Sequence, residues 1–362
     1  MTASLPRTVL VMAGGTGGHV FPALAAAKIL RDHGFTIEWL GTSAGIEARL
    51  VPEAGINLHC INVAGLRGKD LLSRLSAVVR LSGALLQAFR LIRNLQPACV
   101  LGMGGFASGP GGLVAWLTGC PLVIHEQNAV AGTTNKLLSK LATRILLGYP
   151  IQLGGAKSRY IGNPVRDDIV SLPAPKERLA SHRGNLQLLV LGGSLGAKPL
   201  NDLLPEALAL IACGQRPVVW HQSGERHVDD VRKHYQLAGV EAEVDAFIDD
   251  MAAAYRWADV VVCRAGALTV AELTAAGVAS LLVPLPHAID DHQTANAHWL
   301  ESGHAGKLLA QSELTVDRLA KELVELSQDR EKLLGMSLAA RKLARTDAAQ
   351  QVAAVCMEVA DA

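Results

Sequence analysis

Ala258-Asp259-Val260-Val261-Val262-Cys263-Arg264-Ala265-Gly266-Ala267-Leu268-Thr269-Val270-Ala271-Glu272 is the stretch on which the reading of the chain turns. Its first half holds three consecutive valines in an apolar run too short for a helix, which predicts a buried strand. Ala265-Gly266-Ala267 follows, small residues that let a backbone pass close to another group. From Leu268 the spacing is helical, with Leu268, Ala271, Ala275 and Ala276 expected on one side. A strand that turns through small residues into a helix leaves unpaired N–H groups and the positive end of the helix dipole at the turn. Such a turn suits an anion. Glu272, about one helical turn further on, is expected to accept hydrogen bonds from sugar hydroxyls.

The same scheme recurs along the chain. Residues 8–13 read as a strand running into Gly14-Gly15-Thr16-Gly17-Gly18-His19, and residues 20–30 carry helical spacing. Glycines here permit a tight turn with backbone N–H groups facing open space. No lysine follows, which excludes a P-loop, and Val20 stands where a dinucleotide fingerprint requires glycine. The next strand, residues 36–40, ends in Gly41-Thr42-Ser43 and not in an acid for a nicotinamide ribose. Residues 100–112 form a second glycine-rich turn before an apolar helix over 113–117. Its glycines exceed what a hairpin needs and predict close approach to a bulky anionic ligand. Residues 122–124 then end in His125-Glu126-Gln127-Asn128, at the carboxyl end of a strand where open α/β sheets hold ligands. After a region rich in Gly, Pro and charge (148–185), a strand over 186–191 leads into Gly192-Gly193-Ser194-Leu195-Gly196-Ala197. The order repeats from there: residues 102–112 are answered by 264–272, and 125–128 by 284–293. The fold class expected is therefore α/β, with two Rossmann-like doubly wound domains facing each other across a cleft. Their spans are 1–163 and 164–343, with a C-terminal helix over 344–362 packing back on the first.

Bulk properties agree. A chain of 362 residues is long for one core, and a formal charge of +1 argues against a nucleic-acid partner. Six scattered cysteines, without C-x-x-C, fit reduced and mostly buried thiols in a cytosol. There is no signal-peptide pattern, and the uncharged run 94–125 is broken by Pro97, Pro110 and Pro121, so a soluble protein is expected. Residues 71–95 predict a long helix with Leu71, Leu75, Val78, Leu85 and Phe89 on its core side. Arginines spread around it favour a core helix with solvated cations over a helix lying on anionic lipid. The adjacent pairs Asp167-Asp168, Asp229-Asp230, Asp249-Asp250 and Asp290-Asp291 point in divergent directions and suit solvent better than a metal; no metal or other cofactor is expected.

Taken together, GGTGGHVFPALA from Gly14, GMGGFASGPGG from Gly102, HEQNAVAGTTNK from His125, GNPVR from Gly162, LGGSLGA from Leu191, WHQSGE from Trp220, FIDDMAAAY from Phe247, CRAGALTVAE from Cys263 and HAIDDHQTANA from His287 resemble the GT-B glycosyltransferases that make the bacterial cell-wall precursor lipid II. The resemblance spans nearly the whole chain. It implies inverting transfer of N-acetylglucosamine from UDP-N-acetylglucosamine to the 4-hydroxyl of N-acetylmuramic acid in lipid I, at the cytoplasmic face of the bacterial inner membrane. The partners it implies are these two substrates, an anionic membrane surface, and proteins of wall synthesis and division. The nearest alternatives are a glycolipid synthase, a UDP-N-acetylglucosamine 2-epimerase, or a sugar-nucleotide sensor that binds without turnover.

Carried over position by position, the resemblance assigns donor contacts to Thr16, Gly17, Gly18, Asn128, Arg166, Ser194, Ile248, Ala267, Leu268, Thr269, Val270, Ala271, Glu272 and Gln293. Within that set Ile248 would offer backbone groups to uracil, Glu272 would take the ribose hydroxyls, and Gln293 would reach the hexose. Gly104, Gly105, Phe106 and Ser108 would line the acceptor site. His19 is the first candidate for the base, because an imidazole titrates near working pH, and Glu126 is the second. Two positions depart from the family pattern: Phe106 replaces a tyrosine and Glu225 a lysine.

Overall fold

The computed structural model describes residues 7–63, 71–193, 196–286 and 291–362. The chain divides into two compact units: Met1–Arg166 joined by Arg345–Ala362, and Asp167–Ala344.

The first unit is a seven-stranded, all-parallel sheet. Its strands are β1 (Thr8–Met12), β2 (Thr36–Gly41), β3 (Asn57–Cys60), β4 (Cys99–Gly102), β5 (Leu122–Glu126), β6 (Arg144–Leu147) and β7 (Ser158–Tyr160), in spatial order β3-β2-β1-β4-β5-β6-β7. The central strands are continuous apolar runs because both of their faces are covered. Helices α1 (Gly17–Asp32), α2 (Glu47–Glu53), α3 (Leu71–Leu95), α4 (Ser108–Leu117) and α5 (Thr133–Leu138) connect them. On one face Val9, Val11, Ala23, Ala27 and Leu101 share a core with Val352, Ala353, Cys356 and Val359. Those last four lie on α15 (Ala348–Asp361), which packs against α1.

The second unit repeats the plan with six parallel strands: β8 (Gln187–Leu191), β9 (Val218–Gln222), β10 (Glu243–Asp245), β11 (Val260–Cys263), β12 (Ala279–Leu282) and β13 (Gly306–Leu308), in order β10-β9-β8-β11-β12-β13. Its helices include α6 (Asp167–Val170), α7 (Pro175–Ala180), α8 (Lys198–Ala209), α9 (Val228–Leu237), α10 (Met251–Trp257), α11 (Ala267–Ala276), α12 (His292–Ser302), α13 (Val316–Gln328) and α14 (Arg330–Leu343). In each unit the strand order reverses direction at the pair β1/β4 or β8/β11, the switch point where doubly wound sheets hold ligands.

Several expectations need correction. In α11 the buried residues are Ala267, Val270, Glu272, Leu273, Thr274, Ala275 and Ala276, while Leu268 and Ala271 are only half-buried. Nearly every residue there is small and apolar, so periodicity alone did not single out the inner face. Helix α4 begins at Ser108, inside the glycine run. A Cβ on Gly111 would stand 2.2 Å from Met12 Sδ, and one on Gly112 2.9 Å from Leu138, so these glycines allow close packing within the domain. On α3 the inward side is Ala84, Ala88 and Ile92, and Phe89 is exposed; Leu71, Leu75 and Val78 lie outside the described side chains. Cys99, Cys263 and Cys356 are buried, whereas Cys60 and Cys213 are exposed.

Candidate functional site

Three strand ends meet at the first unit's switch point and are stitched by one backbone and one side-chain hydrogen bond. Met103 N donates to Met12 O (2.7 Å), and Gln127 Nε2 donates to Met103 O (2.6 Å). Gly15 takes a φ of 88°, which turns the chain out of β1. Thr16 is then the N-cap of α1, and its side chain makes no capping bond. The N–H groups of Gly17 and Gly18, in the first turn, have no intrahelical acceptor. His19 is half-buried, and its Nδ1 lies 3.1 Å from Gly14 O.

The second glycine loop packs directly on the first. A Cβ at Gly104 (φ 99°) would lie 2.6 Å from the His19 ring, and one at Gly105 (φ 90°) 2.6 Å from Gly14 O. Both glycines therefore hold the loop of His19 in place. Ser108 is fully buried, its hydroxyl donating to Gly104 O (2.8 Å) and Met12 O (3.1 Å). Only Phe106 of the four expected acceptor residues presents an exposed side chain, at 59%.

Glu126 is 2% exposed, and its carboxylate is filled with donors. Oε1 accepts from Asn128 N (2.9 Å), while Oε2 accepts from Gly132 N (3.0 Å) and Asn135 Nδ2 (2.8 Å). This arrangement fixes the turn that presents Asn128 and leaves little room for a proton acceptor's role. Asn163 Nδ2 donates to Gln127 O (3.0 Å), tying the Gly162–Arg166 segment to the same strand end. Arg166 is the last residue of the first unit, with its guanidinium 5.7 Å from the centre of the Phe21 ring on α1.

In the second unit Gly192 N donates to Gln222 O (3.0 Å), and Gly193 and Gly196 both adopt positive φ. Ser194 lies outside the described residues. Gln222 also accepts the N–H of Ile248 through Oε1 (3.1 Å). That amide is thus engaged within the domain, which leaves the Ile248 carbonyl as the group to offer a base. Gly266 is the N-cap of α11 with φ −63° and ψ 144° and no side-chain cap. The N–H groups of Ala267, Leu268 and Thr269 have no intrahelical acceptor, whereas Val270 N donates back to Gly266 O (2.9 Å). Val270 and Ala271 lie further along α11, Val270 buried and Ala271 half-buried. Asn296 Nδ2 holds Ala265 O (3.1 Å), and Arg264 Nη1 holds the carbonyls of Val283 and Pro284 (3.0 and 3.1 Å). Glu272 is 8% exposed and accepts the buried Tyr255 hydroxyl (3.0 Å). Gln293 Oε1 accepts from Leu285 N (2.9 Å).

The sequence reading missed Glu47, Gln222, Tyr255 and Asn296. Gln222 and Tyr255 act on the site residues Ile248 and Glu272, and Glu47 and Asn296 on Gly15 and Ala265 in the turns beside the others. Among the described residues no group of three or more His, Cys, Asp or Glu side chains is placed to hold a metal ion.

Two buried histidines make the units sensitive to acid. His125 is fully buried with Nε2 on Gly162 O (2.9 Å), and burial lowers its pKa to about 4. His221 is likewise buried, between Asn201 and Tyr235, and burial lowers it to about 3. In the unfolded chain both take up a proton near pH 6.5, so folding stability is full above that pH and falls as pH drops toward 4. A loss of a few kcal/mol across that range is expected, read by urea titration from pH 7.5 to 4.5. His125→Phe should flatten the slope between pH 6.5 and 4.5.

Comparison with known proteins bears on the family and the fold. Residues 9–147 match the glycosyltransferase family 28 N-terminal domain, and residues 187–352 match the family 28 C-terminal domain. A relative from Ectopseudomonas mendocina, named UDP-N-acetylglucosamine–N-acetylmuramyl-(pentapeptide) pyrophosphoryl-undecaprenol N-acetylglucosamine transferase, is 56% identical over 97% of this chain and 98% of its own. The crystal structure of Acinetobacter baumannii MurG superposes with a TM-score of 0.83 at 40% identity, covering 98% of this chain and 100% of that one. A UDP-GlcNAc 2-epimerase from Neisseria meningitidis shares the fold at a TM-score of 0.67 with 12% identity, covering 97% of this chain and 100% of that one.

Proposed function

Because the chain belongs to glycosyltransferase family 28, we propose a division of labour among its residues for the transfer that its relatives are named for. It is a UDP-N-acetylglucosamine-dependent N-acetylglucosaminyltransferase that converts lipid I to lipid II for peptidoglycan synthesis. The observation that carries this reading is the full-length similarity to enzymes of that name, at 56% identity. Epimerase chemistry is not favoured, since the likeness to the epimerase is one of fold alone.

The acceptor 4-hydroxyl attacks the anomeric carbon of N-acetylglucosamine as the bond to the diphosphate oxygen breaks. UDP departs with the electron pair, and configuration inverts. The hydroxyl proton goes to His19 Nε2, whose Nδ1 is anchored on Gly14 O. Charge accumulating on the diphosphate is met by the N–H groups at the start of α11, with Arg166 and Ser194. Ile248 meets uracil through its carbonyl, Glu272 the ribose, and Asn128 and Gln293 the hexose. Thr16, Gly17 and Gly18 approach the donor sugar, and Phe106 lies along the acceptor. Gly104, Gly105, Ser108 and Glu126 support the site from within the fold. The test is incubation with labelled UDP-N-acetylglucosamine and a short-chain lipid I analogue in the presence of chelator. Transfer is expected, whereas release of UDP without acceptor or conversion of the donor alone would overturn the reading.

The acceptor's lipid tail requires contact with a membrane. No helix among the described residues is long and apolar enough to cross one. The packed series α3, α4 and α5 instead exposes Leu86 and Phe89, Trp116 and Leu117, and Leu137, with Arg80, Arg90, Arg93, Lys136 and Lys140 also solvent-facing. Apolar side chains among cations suit the interface of an anionic bilayer. This supports peripheral attachment at the cytoplasmic face of the inner membrane, where division and wall-synthesis proteins are the expected neighbours. Flotation with anionic vesicles should show binding that weakens at high salt. Trp116→Glu with Leu117→Glu should weaken it by about tenfold or more, with turnover of a short-chain acceptor unchanged.

A further inference from the structure

Behind the first glycine loop lies a carboxylate that the transfer reaction does not touch. Glu47, the first residue of α2, is fully buried. Its Oε2 accepts the N–H of Gly15 at 2.9 Å, and its Oε1 accepts the N–H and the hydroxyl of Thr42 at 3.0 and 2.7 Å. Three glycines make the space for it: a Cβ on Gly14, Gly41 or Gly45 would stand 2.4, 2.9 or 1.9 Å from its side-chain atoms. A buried carboxylate walled by glycines from two loops is a specific construction.

Gly14 C=O and Gly15 N–H belong to one peptide group. That group is planar and trans, so its two polar ends point in opposite directions. Glu47 holds the N–H end, and His19 Nδ1 lies at the C=O end, 3.1 Å away. A carbonyl only accepts, so the neutral ring carries its proton on Nδ1 and its lone pair on Nε2. An amide whose N–H is held by an anion is polarised, and its oxygen becomes a stronger acceptor.

We propose that Glu47 is a positioning residue for the transfer, acting through the Gly14–Gly15 peptide to set the tautomer of His19 and to stabilise the imidazolium formed during reaction. It stands to His19 as the buried acid of a hydrolase triad stands to its histidine, with a peptide group interposed. No proton travels along this path: the acceptor hydroxyl gives its proton to Nε2, and Glu47 exchanges none. The inference rests on the reading of His19 as the base.

Other groups bear on His19. His125, from β5, interacts electrostatically with it and is held neutral by burial. Arg166 stacks over Phe21, two residues further along α1 from His19. The second loop, Gly104 to Ser108, contributes no charge. Glu47 is the anion of this set that reaches the ring through a bonded path.

The test uses the full chain labelled with ¹⁵N-histidine, the His19 signals being identified by their loss in His19→Gln. Neutral His19 is expected as the Nδ1–H tautomer. Glu47→Gln, similar in size, is expected to lower the His19 pKa by about one unit and kcat by roughly 10- to 100-fold. The acid limb of kcat should move to lower pH by the same amount, with KM for UDP-N-acetylglucosamine within about twofold. An Nε2–H tautomer in the unsubstituted protein, or a His19 titration unmoved in Glu47→Gln, would overturn the proposal. Should Glu47→Gln not fold, the tautomer decides. If His19→Gln keeps turnover the base reading fails, yet the tautomer and titration still report whether Glu47 acts on the ring.

Discussion

His19→Gln is expected to lower kcat by roughly 10³-fold, within the range that a positioned general base contributes. The expectation follows from placement. The ring is held on two sides: Nδ1 lies on Gly14 O, and Gly104 is so close to Cδ2 that a Cβ there has no room. A glutamine fills similar space and can bond the same carbonyl, so the fold should be kept and KM for the donor should change little. The flat alkaline region and the acid limb of the kcat profile should both disappear, leaving a low rate with weak pH dependence. A variant that retains more than a tenth of the parent kcat from pH 6 to 9 would remove His19 from the mechanism. Glu126 could not simply take its place, because each of its oxygens already accepts protein N–H donors.

The second large effect is expected at Gly266, where stability and function should move in opposite directions. Gly266 is the N-cap of α11, with dihedrals that any residue adopts and room for a Cβ, whose nearest neighbour would be Thr269 Oγ1 at 3.6 Å. Gly266→Asp would let a carboxylate accept the N–H of Leu268 or Thr269. N-capping and the helix dipole both favour it, with a gain of up to about 1 kcal/mol relative to glycine. The same donors are the ones proposed to receive the leaving diphosphate. A fixed negative charge there should raise KM for UDP-N-acetylglucosamine by roughly 100-fold and weaken UDP as a product inhibitor equally. Thermal unfolding and steady-state kinetics on one preparation give the answer. A variant with raised Tm and unchanged donor KM would place the diphosphate elsewhere.

The fold and the glycine turns that frame the candidate site were legible in the sequence, for a physical reason. A loop that must bend sharply out of a buried parallel strand has to be written in glycine and small residues, so β1, β4, β8 and β11 announce themselves with their turns. The repeat of that pattern at the start of each half pointed to two similar doubly wound domains, and the matching strand order came with the structure. What stayed hidden is chemistry at a distance in sequence. Glu47 sits in an unremarkable amphipathic segment, and nothing local says that its carboxylate reaches Gly15. Tyr255 and Asn296 are similar cases, each visible only once its helix is docked. The glycines of residues 102–112 mislead in the other direction. Gly111 and Gly112 serve packing on Met12 and Leu138, a demand that in sequence looks like room for a ligand. The inner faces of α3 and α11 were misjudged because Ala, Leu and Val populate nearly every side of both helices.

The contribution of α15 to the first unit has a consequence for biosynthesis. Val352, Ala353, Cys356 and Val359 complete the layer that covers Ala23, Ala26 and Ala27, yet they are made after the whole of the second unit. A chain growing on the ribosome therefore carries its first unit with a bare apolar flank until α15 has been made, and the second unit can close first. A stalled or clipped product ending before Ala348 would keep its glycine loops but expose that flank, making it a client for chaperones and proteases.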